Sequence, residues 1–258
     1  MNYWNRLKRK LFCRLALRYP RCVALLPASV PLAVCLHSGV DRPNELMVFL
    51  PGIGDVLEDY QSYGFIEAVQ HSGMPVDMVV VDAHYGYYAR RTVLVRLHQD
   101  VIAPAKARGY EAIWLVGISL GGLGALLYAR EYPGDIAGLI LLAPFLGHPP
   151  ILEEIRRVGG LHQWQPGPVI AGDYERQLWQ WLKDYACPDP DLPLLVLGYG
   201  EHDPFARAHH LLAEVLPESR VLVTAGHHDW PTWKRLWDQF LLRHGELLDS
   251  TAIKAVSL

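Results

Sequence analysis

Cysteine is scarce. Four occur in 258 residues, Cys13, Cys22, Cys35 and Cys187, and no two are spaced as CxxC. That pattern excludes a disulfide scaffold, a zinc ribbon and a thioredoxin-type redox motif. Reduced, partly buried thiols are the expectation. Long apolar runs are missing too: residues 22–36 (CVALLPASVPLAVCL) are interrupted by Pro27 and Pro31 and fall short of the roughly 20 residues of a spanning helix. Charge is modest and nearly balanced, with 24 basic and 27 acidic residues, which excludes a globally basic nucleic-acid-binding composition. There are no internal repeats or low-complexity tracts, so collagen, a long coiled coil and a mainly disordered polymer are excluded. What remains is a 51% hydrophobic chain of a length suited to one large domain.

The near-neutral balance conceals an asymmetry. Residues 1–21 hold Arg6, Lys8, Arg9, Lys10, Arg14, Arg18 and Arg21 and no acid, so this stretch carries +7 and residues 22–258 carry −10. Trp4, Leu7, Leu11 and Leu15 recur in it at helical spacing. Two readings fit: an amphipathic helix lying on an anionic membrane surface, giving peripheral membrane contact, or a solvated basic helix packed on the domain. Residues 22–36 also carry two readings. They can be the core of an export signal, with Leu32-Ala33-Val34-Cys35 resembling a lipoprotein cleavage box. Alternatively, Leu32 to Gly39 forms a strand joined to a second strand, Glu45 to Leu50, across Asp41-Arg42-Pro43-Asn44. The strand reading implies a cytoplasmic protein, membrane-associated where residues 1–21 form the interfacial helix, and the signal reading an exported protein or lipoprotein.

From residue 45 onward, short runs rich in Val, Ile and Leu alternate with helical patterns. The runs are Leu46–Leu50, Val76–Val81, Ile113–Val116, Ala137–Leu142, Leu194–Leu197 and Arg220–Val223. Their near-continuous apolar character is that of parallel strands buried on both faces. Helical patterns cover about 91–107, 120–131, 205–215 and 231–243; in the last, Trp233, Leu236, Trp237, Phe240 and Leu241 form a core-facing stripe. Alternation of this kind predicts an α/β fold, a mostly parallel sheet flanked by helices. Residues 147–191 are too long for a simple connection and contain Trp164, Tyr174, Trp179, Trp181 and Tyr185. They are expected as a lid-like insertion within a domain spanning 22–258.

The sharpest chemical signal is Gly117-Ile-Ser119-Leu-Gly121, between an apolar strand and a stretch rich in small residues. This G-x-S-x-G arrangement is a nucleophile elbow, in which a tight strand-to-helix turn lifts the serine hydroxyl above the sheet. Its glycines spare the turn from collisions with neighbouring strand and helix. A serine hydroxyl is a weak nucleophile and needs a base, itself oriented by an acid. Acid and histidine should follow in that order, each after a strand. Leu194–Leu197 leads to Glu201 and Asp203, of which Asp203 is favoured because it directly precedes Pro204 and the next helix. Val221–Val223 leads to the adjacent pair His227 and His228. For an oxyanion, the N–H of Leu120 is one expected donor and that of Ile53, between Gly52 and Gly54, the other.

These elements in this order resemble the α/β-hydrolase superfamily, over about residues 45–245, and look most like serine esterases and lipases. Gly226-His227-His228-Asp229-Trp230 matches the family's histidine loop in a register that selects His228. The resemblance implies Ser119 as nucleophile, His228 as base and then acid, and Asp203 as the residue orienting the imidazole. It implies oxyanion N–H groups from Ile53 and Leu120. Pro51 departs from the pattern, since many relatives carry histidine there. The implied reaction cleaves a carboxylic ester of a small or lipid-like substrate through an acyl-enzyme, with no cofactor, metal or nucleic acid. Thioester hydrolysis or acyl transfer on the same triad, and a non-catalytic binding protein of this fold, are the alternatives. His84, after another strand, is a candidate substrate-pocket residue or an ordinary loop histidine.

Overall fold

Strands form where the apolar runs predict them. A computed structural model describes residues 3–18, 26, 32, 34–37, 43–168, 170–187 and 191–254, of which 3–6, 9, 10, 14, 35 and 244–254 by backbone alone. Seven strands make one sheet: β1 Val34–His37, β2 Glu45–Leu50, β3 Val76–Val81, β4 Ala112–Ile118, β5 Gly138–Leu142, β6 Leu194–Gly200 and β7 Val221–Thr224. Their order is β1-β3-β2-β4-β5-β6-β7, and every pairing is parallel except that of β1 with β3. The strands β2, β3 and β5 are buried along their whole length, which is why their sequences do not alternate with polar residues.

Alternate side chains go to opposite faces. On one face Met47, Phe49, Trp114 and Val116 pack against α2 Leu57–Ser62, α3 Phe65–Ser72 and α11 Trp230–Lys254, through Tyr60, Phe65 and the stripe Trp233, Leu236, Trp237 and Phe240. On the other face Leu46, Val48, Leu115 and Leu139 meet α5 Val93–Leu97, α6 Ala103–Ala107, α7 Leu120–Glu131, α8 Pro149–Arg157, α9 Tyr174–Lys183 and α10 Ala206–Ala213. The remaining helices are α1 Tyr3–Arg18 and α4 Tyr85–Ala89.

Three features of the fold are set by tertiary packing. β1 lies antiparallel on β3, at the sheet edge, with Leu36↔Val79 in register, and does not pair with β2, the strand that follows it in the chain. The fully apolar β2 takes two parallel neighbours, β3 and β4, and the shorter β1, with Val34 and Leu36 half exposed, is left the edge position. The helix over 91–107 is interrupted: a π-helical turn, His98–Ile102, joins α5 to α6. Pro104 lies in the first turn of α6; it has no N–H for the carbonyl four residues back and would crowd it, and a wider turn relieves both. Finally, the aromatic residues of the 147–191 insertion largely enter the core. Trp164 and Trp179 are buried, Trp179 Nε1 donates to the Leu146 carbonyl at 2.8 Å, and Arg176 joins α9 to α8 through both oxygens of Glu154.

Cys13, buried, and Cys187, exposed, form no disulfide among the described residues. Cys22, the Cys35 side chain, the Trp4 side chain and most of the proposed export segment lie outside the described residues.

Candidate active site

Ser119, Asp203 and His228 come from three separate strand-to-helix connections, after β4, β6 and β7, and meet at one edge of the sheet. Parallel neighbours bring their carboxyl ends to the same edge, so residues far apart in sequence converge there. His228 Nε2 lies 2.9 Å from Ser119 Oγ, and His228 Nδ1 lies 2.7 Å from Asp203 Oδ2. The Asp203 side chain is fully buried, and its other oxygen, Oδ1, accepts the Phe205 N–H at 2.8 Å. A carboxylate at Nδ1 makes that nitrogen the donor and leaves Nε2 to accept from the serine hydroxyl. Glu201 and His227, the neighbours weighed from sequence, both face solvent.

The turn that carries Ser119 is strained. Its φ is +51°, and Ala143, at the end of the adjacent strand, has φ +48°; such values cost about 1–3 kcal/mol each in a non-glycine residue. Packing holds the strained turn in place: the Ser119 N–H donates to the Leu142 carbonyl at 3.0 Å, and the Ser119 carbonyl accepts from Phe145 N–H at 2.9 Å. The flanking glycines are required by close backbone approach. A Cβ at Gly121 would lie 2.1 Å from the Leu50 carbonyl oxygen, and one at Gly117 would lie 2.6 Å from the Gly121 carbonyl oxygen. In an open helix Gly→Ala gains about 1 kcal/mol. Here the clash is with backbone, and Gly121→Ala is expected to destabilise the fold by about 3 kcal/mol or more. A urea midpoint equal to or above the parent's would refute this.

The loop after β2 approaches the same point. Asp55 N–H donates to the Gly52 carbonyl at 3.2 Å, closing a turn in which Gly54 takes φ +79°, the conformation that glycine supplies in the third position of a type II turn. Ile53 stands at the exposed corner of this turn, and both Gly52 and Ile53 border the cleft beside Ser119. Leu120 opens α7 directly after Ser119. Among the described residues neither the Ile53 nor the Leu120 N–H is engaged in a backbone hydrogen bond.

Comparison with known proteins agrees with this architecture. Residues 82–174 match the family model described as serine aminopeptidase, S33. No curated protein sequence matches the chain. Among solved structures, the monoacylglycerol lipase of Paleococcus ferrophilus is 16% identical, with 83% of this chain and 100% of that one covered at TM-score 0.54. The S-formylglutathione hydrolase of Agrobacterium tumefaciens is 13% identical, covering 83% and 89% at TM-score 0.53. An alpha/beta hydrolase enzyme, MGS-MChE2, from the metagenome of lagoon sediments at Mar Chica, Morocco, is 14% identical, covering 86% and 98% at TM-score 0.52. The chain has the α/β-hydrolase fold.

In this α/β-hydrolase fold the cleft beside Ser119 has a volume of about 350 Å³. Its wall is aromatic. Tyr63 stacks on Trp230 with centroids 4.6 Å apart, and Trp233 stands edge-on to the His228 ring at 5.0 Å. Trp230 Nε1 donates to Asp55 Oδ1 at 3.2 Å, which ties the histidine loop to the loop carrying Ile53. Sequence reasoning assigned Trp233 to the core and passed over Tyr63 and Asp55. No described residue of the 147–191 insertion borders this cleft. A larger cavity of about 570 Å³, beside Cys187, Leu216 and Arg220, opens at the opposite edge of the sheet and contains no member of the Ser–His–Asp group.

His84 is buried and caps α4, its Nδ1 accepting the Gly86 N–H at 3.1 Å, and it does not border the cleft. His209 contributes in a way its helical setting concealed. It is fully buried on α10, and its Nε2 lies 2.9 Å from the Pro144 carbonyl. Burial holds its pKa down, to about 4, so it is neutral at pH 7 and Nε2–H is the donor. The bond fastens the helix that follows Asp203 to the loop that supports the Ser119 turn.

Proposed function

We propose that the protein is a serine hydrolase that cleaves a carboxylic ester through an acyl-enzyme. The observation that carries this reading is the position of His228, within hydrogen-bond distance of both Ser119 Oγ and Asp203 Oδ2. In the proposed reaction His228 Nε2 takes the hydroxyl proton as Ser119 Oγ attacks the acyl carbon. Asp203 holds the imidazole in the required tautomer and stabilises the imidazolium. The N–H groups of Ile53 and Leu120 receive the tetrahedral oxyanion. His228 then protonates the departing alcohol, and the same base activates the water that releases the acid.

The cleft bears on the substrate. Its volume is at the low end for small-molecule sites, and Tyr63, Trp230 and Trp233 offer flat apolar surface, so a compact acyl or aryl ester suits it. The likeness to an S-formylglutathione hydrolase favours a second reading, hydrolysis of an S-acyl bond by the same three residues. The lipase neighbour supports the oxygen ester.

The expected result is turnover of short p-nitrophenyl esters and covalent labelling by a fluorophosphonate at Ser119. Absence of labelling in the parent protein would sink the serine-hydrolase reading. Turnover of matched oxygen and sulfur esters separates the two substrates: a preference for the thioester beyond its greater intrinsic reactivity would overturn the ester assignment.

A further inference from the structure

We propose that α1 is an interfacial anchor that lays the Ser119 edge of the molecule on an anionic lipid surface. The helix is oriented contrary to ordinary core packing. The small residues Cys13 and Ala16 face inward and are buried, packed with Leu26, Phe12 and Tyr85. Leu7 and Leu11, one turn apart, face outward and are 50% and 55% exposed. Lys8 and Arg18 are exposed on the same helix. A helix serving only as a solvated cover places leucine inside and polar residues outside.

Its attachment point gives the outward face a direction. Tyr85 opens α4, directly after the carboxyl end of β3, at the sheet edge where Ser119 and His228 meet. Gly86 lets the chain pack closely there, since a Cβ on it would lie 2.7 Å from Leu26 Cβ. Charge selects the occupant. With seven basic residues and no acid in residues 1–21, a second copy of this segment is repelled. Nucleic acid would satisfy the charge and leave the leucines without a partner. An anionic bilayer accommodates both, taking the leucines below the headgroups and the cations among them. Among the described residues no helix is long and apolar enough to cross a membrane, so α1 lies on the surface. If the protein hydrolyses esters as proposed above, its substrate then reaches Ser119 from the bilayer as a membrane-resident acyl ester; this consequence rests on the hydrolase reading, whereas the binding does not.

The test uses the full chain with phosphatidylcholine vesicles, with and without phosphatidylglycerol. Co-sedimentation is expected only with the anionic vesicles and is expected to weaken as salt rises. The surface variant Leu7→Glu/Leu11→Glu should lose about tenfold or more in partitioning, with unchanged turnover of a soluble ester and reduced turnover of an ester held in the vesicles. Equal sedimentation with neutral vesicles, undiminished binding by the variant, or binding to duplex DNA without vesicle binding each overturns the anchor. Vesicle binding by a parent protein that turns over no ester leaves the anchor standing and removes the hydrolase reading alone.

Discussion

Replacing Ser119 by alanine is expected to lower kcat toward ester substrates by about 10⁴- to 10⁶-fold and to abolish fluorophosphonate labelling. The change removes only the oxygen that lies 2.9 Å from His228 Nε2. The α7 N-terminus, the Ile53 loop and the aromatic wall persist, so substrate binding should survive and the loss should fall on kcat rather than KM. Ser119 holds φ +51°, which alanine tolerates no better, so the thermal midpoint should stay near the parent's. Hydrolysis within tenfold of the parent, with the fold intact, would remove Ser119 from the chemistry and with it the acyl-enzyme.

The second large effect is expected from Asp203→Asn, about 10⁴-fold in kcat. The carboxylate makes two bonds at once, to His228 Nδ1 and to the Phe205 N–H, and both partners are donors. An asparagine can accept with only one oxygen. If that oxygen stays on Phe205 N–H, the amide NH₂ faces Nδ1 and forces the imidazole proton onto Nε2, where it can no longer accept from Ser119. Glu201 faces solvent and is not placed to replace the lost acceptor. Near-parental kcat with an unchanged melting curve would show that Asp203 does not orient the histidine. The comparison with Asp203→Ala is informative, because alanine leaves the partly buried Phe205 N–H unpaired as well and should cost stability in addition to rate.

Much of the site was legible because its residue types sit in short, local patterns. Gly117-x-Ser119-x-Gly121 is compressed into five residues by the close backbone contacts that forbid a Cβ at either glycine. Asp203 and His228 were visible because each lies on a loop just after an apolar run, a position that parallel strands bring to one edge. The pairing of β1 was not legible, since an edge strand is short and its partner is chosen across space. Which way the tryptophans of the insertion point was not legible either. Trp164 and Trp179 fill the core, and composition alone cannot separate an aromatic residue that packs inward from one that faces a cleft.

The sequence by itself determined the alternation of parallel strands and helices, the tight turn that carries Ser119, and which loops carry Asp203 and His228. Those features depend on periodicity and on neighbours within a few residues. Only the tertiary structure decided that Tyr63, Trp230 and Trp233 form the wall of the cleft. It also placed His209 as a tie between two loops, and set α1 with Leu7 and Leu11 outward. Each of these depends on which surfaces meet after the sheet has assembled, and a contact between residues far apart in sequence leaves no periodic trace in the chain.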